Sequence, residues 1–165
     1  MNAGETFPSV SWRTADAFAV LARVGVGVMF IYMGVSKAWD PVGFLKLVRQ
    51  YDVLHHHVAL NFVASTLPWF EIFCGALLVL GVAVRGTAVM LVLMLVPFTT
   101  LILLRALAMR ETGGLAFCAI KFDCGCGGGE VLICWKLAEN VLLTAFSLFL
   151  IFSQKARLCL RHRFL

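Results

Sequence analysis

Residues 60–84 read LNFVASTLPWFEIFCGALLVLGVAV, and this stretch decides the fold. A helix needs about 20 mainly apolar residues to cross a hydrocarbon core of roughly 30 Å, and this run offers them with one ionisable side chain, Glu71. It lacks the alternation of a barrel strand, and a spanning segment must satisfy its backbone polar groups internally, so it reads as a helix. Three more stretches share its character, Ala15–Trp39, Thr87–Met109 and Val131–Phe152. The expected architecture is therefore an all-α integral membrane protein. Residues 1–165 form one transmembrane domain of four helices in an antiparallel bundle, with both termini on one side and a basic tail at 153–165.

Composition agrees. Of 165 residues, 61% are apolar or aromatic and 14% are charged, with a mean hydropathy of +0.93, against about half and a quarter in soluble domains. Four spans leave no room for a separate soluble catalytic domain. The net charge of +5 comes without a basic, aromatic-interleaved surface, which excludes nucleic acid and leaves the lipid bilayer as first partner. Asp16 and Arg23 interrupt the first apolar stretch, so it reads as a retained span and not a cleaved leader.

The second connection reads as a tight turn at Arg85-Gly86, whereas the first (40–59) and third (110–130) are long and share one face. Within the first, residues 43–51 (GFLKLVRQY) have the pattern of a short interfacial amphipathic helix. Gly25, Gly27, Gly34 and Gly75 suit close helix packing, and Pro68 and Pro97 are expected to kink their helices. Counting Lys and Arg gives seven on each side, and the dense cluster from Lys155 to Arg163 decides the orientation. It places the termini in the cytoplasm of a bacterial inner membrane and both long loops in the periplasm.

The third loop carries the candidate chemistry, Asp123-Cys124-Gly125-Cys126-Gly127. Two cysteines one residue apart close only a small ring, and Gly125 eases the sharp bend that it demands. Strained, exposed disulfides are the labile ones, so Cys124 and Cys126 suit a cycling thiol carrier in an oxidising compartment. Competing readings are an incidental Gly-rich turn and a metal centre with Cys118 or Cys134 as further ligands. The Cys-x-Cys spacing favours redox cycling over metal, so no metal is expected. Cys74 and Cys134 read as buried small hydrophobes, and Cys159 as inert.

Ionisable groups at membrane depth are costly and point to function. Glu71, placed nearer the long-loop face than the terminal face, and Glu139 are candidate proton carriers. Lys37 closes the first helix, and Lys136 lies one turn from Glu139 and Asn140; a base near a thiol favours the thiolate. For Lys37 the alternative is snorkelling to headgroups, and for Glu71 a lysine partner that merely neutralises it. His55, His56 and His57 read as solvated.

Taken in order, Arg23-Val24-Gly25 through Gly34-Val35-Ser36-Lys37, then Leu67-Pro68-Trp69-Phe70-Glu71 with Leu80-Gly81 and Arg85, then Asp123-Cys124-Gly125-Cys126, resemble the DoxX-like family and within it the MauE branch. The resemblance implies a four-helix membrane protein with a periplasmic cysteine pair. Relatives are associated with disulfide formation during maturation of a periplasmic dehydrogenase, or with thiosulfate oxidation that feeds quinone. The chain departs from the pattern at Gly127, where an aromatic is usual, and at Glu139-Asn140, where an Arg-Asn pair is usual.

The expected function is thiol redox exchange between a periplasmic thiol or disulfide protein and membrane quinone. Its site is Cys124, Cys126, Glu71, Lys37, Glu139 and Lys136. The rival reading is a non-catalytic accessory subunit of a larger respiratory or photosynthetic membrane complex. A weaker third is a transporter.

Overall fold

The computed structural model describes residues 14–50, 57–113, 117–123 and 130–152. Helix α1 is Thr14–Trp39, α2 Pro41–Gln50, α3 His57–Leu80, α4 Val84–Gly113 and α5 Ile133–Phe152. A 3₁₀ turn, Phe117–Ala119, and two short strands, β1 (Lys121–Asp123) and β2 (Glu130–Leu132), fill the third connection. The segments Ala17–Trp39, Leu60–Leu80, Val84–Arg110 and Ile133–Phe152 are long and apolar enough to cross a membrane, and they pack against one another. Their outer faces stay apolar, as Leu21, Val28, Leu93 and Val141 show. A helix that is apolar all round belongs in lipid.

Lipid gives helices no hydrophobic reason to associate, so close packing must hold the bundle. The seam between α1 and α3 uses glycine for this. A Cβ on Gly27 would lie 2.8 Å from the Gly75 carbonyl oxygen, one on Gly75 2.6 Å from that of Gly27, and one on Gly34 2.7 Å from that of Pro68. Each step of seven residues along α1 is matched by seven back along α3, the spacing of a left-handed antiparallel pair. Gly25, by contrast, faces open space.

Helix α3 ends earlier than the sequence indicates, and the tight turn is at Gly81–Ala83, not Arg85-Gly86. Gly81 takes a φ of 75°. Its N–H donates to the Leu78 carbonyl, and the Val82 N–H to that of Leu77, the paired bonds of a glycine helix stop. Arg85 and Gly86 lie in the first turn of α4.

Helix α2 starts from a well-formed cap. Asp40 Oδ1 accepts the Gly43 N–H at 2.9 Å, and Pro41 takes the first helical position, where a missing donor costs nothing. The amphipathic helix then buries Phe44. Beyond α4, β1 and β2 pair antiparallel with Phe122 opposite Val131 and Asp123 opposite Glu130. Cys118 and Cys134 form a disulfide across the base of this ribbon. Cys134 is therefore a bonded partner of Cys118 and not a packed small hydrophobe, and neither is available as a metal ligand.

Candidate functional site

The site is set by where two lysines point. In a helix the Cα–Cβ bond leans toward the N-terminus. Lys37, near the C-terminal end of α1, thus leans into the bundle, while Glu71 on antiparallel α3 leans toward the long-loop end. Their side chains converge, and Lys37 Nζ forms an ion pair with Glu71 Oε1. Both side chains are only 3% exposed. Lys37 therefore does not snorkel to headgroups. The rings of Phe44 and Phe98 lie 5.5 and 5.7 Å from its ammonium, close enough for cation–π attraction.

Because α3 ends at Leu80, Glu71 stands eleven residues below Leu60 and nine above Leu80. It is near mid-span and not nearer the long-loop face, because α3 stops at Leu80 and not at the expected Val84. Its second oxygen, Oε2, has no hydrogen-bond partner among the described residues.

Helix α5 supplies the second pair. Lys136 Nζ donates to Glu139 Oε2 at 2.9 Å, with Lys136 buried and the Glu139 side chain 20% exposed. The same ammonium lies 4.0 Å from Met33 Sδ of α1. One turn further in is Asn140, 1% exposed, whose Nδ2 is unpartnered among the described residues. The structure thus joins Lys37 to Glu71 and Lys136 to Glu139. Asn140, which the sequence offers only as a neighbour of Glu139, shares one small cavity with the first pair. That cavity measures about 10 Å³ and is lined by Phe30, Met33, Lys37, Glu71, Met94, Leu95, Phe98 and Asn140. Spacing gave a signal for Asn140: it follows Lys136 by four residues and so shares its helix face.

Cys124 and Cys126, like His55, His56, Cys159 and the basic tail, lie outside the described residues. Connectivity alone locates the two cysteines between paired Asp123 and Glu130.

A groove of about 360 Å³ between α4 and α5 is walled by residues such as Val96, Leu103, Val141 and Leu148. Its hydroxyls already donate to backbone carbonyls one turn earlier, Thr99 to Leu95, Thr100 to Val96 and Thr144 to Asn140. The walls fit an acyl or isoprenoid chain, but no hydroxyl is left to donate to a quinone ring oxygen, so no step is assigned to this groove.

No curated protein and no solved structure matches the chain. The model of the family described as methylamine utilisation protein MauE matches residues 15–153, from the start of α1 to the end of α5 and across the glycine seam, both ion pairs and the ribbon. A multi-pass membrane bundle with this match over most of its length belongs to the MauE family.

Proposed function

We propose that this chain is a thiol redox protein of the bacterial inner membrane, working through Cys124 and Cys126 in the service of methylamine utilisation. A dithiol on a periplasmic partner reduces the Cys124–Cys126 disulfide, leaving the partner oxidised and both cysteines as thiols. Two electrons and two protons then pass to membrane quinone, giving quinol and restoring the bond. Glu71 and Glu139 carry the protons, and Lys37 and Lys136 keep them ionisable in the apolar bundle. This reading rests on the chain's membership of the MauE family and on the resemblance of its Cys-Gly-Cys stretch to DoxX-like proteins.

The observation that carries it is the Cys118–Cys134 disulfide, which anchors the base of the ribbon whose connecting residues contain Cys124 and Cys126. Disulfides persist in oxidising compartments, which supports a periplasmic ribbon. Charge supports it too. Removing the buried Lys37 and Lys136 from the seven loop-side cations leaves five, and removing the buried Arg23 from the terminal side leaves six.

The test is thiol trapping in intact cells. A Cys124–Cys126 bond that opens with a membrane-impermeant reductant, together with loss of partner oxidation in Cys124→Ser/Cys126→Ser, supports the proposal. Labelling from the cytoplasmic side alone, or full activity of the double variant, overturns it. The latter result favours the accessory-subunit role.

A further inference from the structure

We infer that the cavity between Glu71 and Asn140 binds a single water molecule, and that this water exchanges with the long-loop end of the bundle only. The site stands independently of whether the cysteines carry electrons.

Two side chains that are almost fully buried, Glu71 at 2% and Asn140 at 1% exposure, each leave one polar atom without a hydrogen bond among the described residues. Buried polar atoms of native proteins find a partner, commonly an ordered water. Both residues line the same cavity, and its volume of about 10 Å³ is close to the least that holds one water, which also needs two to four polar contacts. Three are available. Water donates to Glu71 Oε2 and accepts from Asn140 Nδ2. Lys37, also in the lining, has three N–H donors and gives one to Glu71 Oε1.

The walls make access one-sided. Toward the terminal end the cavity meets Phe30 and Leu95, and beyond them Leu78 and Leu91, all fully or nearly fully buried. This apolar layer separates the water from the buried Ser147 and Arg23 nearer the terminal end. Toward the long-loop end the boundary is Lys37, covered by the Phe44 ring of α2. Phe44 belongs to a ten-residue helix, too short to span, that packs on α3 and α1 at this end of the bundle. It is the gate.

The test uses the full chain in lipid bilayers with ¹⁵N-labelled asparagine; the sequence has three, Asn2, Asn61 and Asn140. Water-edited solid-state NMR reads magnetisation transfer from water to each side-chain amide, and Asn140→Asp identifies the Asn140 signal. Transfer to Asn140 from a long-lived water is expected. Its absence, or a direct bond from the Asn140 amide to Glu71, overturns the site.

Transfer of the same sample into deuterated buffer then tests the gate. Phe44→Ala is expected to raise the exchange rate of the Asn140 amide by about tenfold by easing local opening, and Leu91→Ala, which thins the sealing layer on the terminal side, to raise it less. The reverse pattern overturns the one-sided access. Phe44→Leu, which keeps an apolar cover, separates gating from a failure to fold, because it must exchange more slowly than Phe44→Ala.

Discussion

Lys37 and Glu71, thirty-four residues apart in sequence, share an ion pair with both side chains only 3% exposed. Taking one partner away strands the other charge in an apolar bundle, whereas taking both away need not cost anything. Glu71→Leu or Lys37→Met alone is expected to destabilise the chain by about 3–5 kcal/mol, and the double variant to recover most of the loss. Thermal unfolding in detergent, run as a double-mutant cycle, measures this. Additive losses would mean that the pair is not coupled.

Glycine at the α1–α3 seam is the next target. Gly75→Leu has no room, because even its Cβ would lie 2.6 Å from the Gly27 carbonyl oxygen. Overpacking of this kind costs about 1–3 kcal/mol or more. Gly25→Leu, facing open space, should be tolerated. A pair of midpoints that fall equally would contradict the assigned seam.

At the link between α3 and α4, two neighbouring positions should respond in opposite senses. Gly81 has a φ of 75° and Ala83 a φ of 47°, where a side chain costs roughly 1–2 kcal/mol. Gly81→Ala is expected to lower the unfolding midpoint and Ala83→Gly to hold or raise it.

The disulfide between Cys118 and Cys134 closes a loop with a sequence separation of 16. Tying off a loop of that size stabilises by about 3 kcal/mol in the chain-entropy treatment. Cys118→Ser is expected to loosen the ribbon and speed its proteolysis, and to leave Cys134 open to alkylation. Equal protease resistance with and without the bond would show that the pairing of β1 with β2 suffices.

The bundle was legible in the sequence because lipid imposes a simple rule: long apolar runs must be helices. Glu71, Lys37, Lys136 and Glu139 were legible for the same reason, each being costly at depth without a purpose or a partner. Their pairing was less so. Direction along a helix axis, not spacing, sends Lys37 inward to Glu71 instead of outward to headgroups. The turn was misplaced because Arg85-Gly86 is polar and flexible in composition, while the glycine that ends α3 is Gly81, recognised by its positive φ. The Cys118–Cys134 bond escaped because its halves flank the ribbon, and only strand register brings Cys134 back beside Cys118.

Helix α1 rests chiefly on α3, and α4 on α5, so the bundle is built of two consecutive helix pairs connected by the three residues Gly81–Ala83. Each half brings its own cation and its own anion, Lys37 with Glu71 in the first and Lys136 with Glu139 in the second. Yet neither ammonium is confined to its own half, since Lys136 also lies beside Met33 of α1 and Phe98 of α4 covers Lys37. Both charges therefore sit where the halves meet, above one apolar core drawn from α1, α3, α4 and α5, and a shift of either half would disturb the surroundings of both ammonium groups.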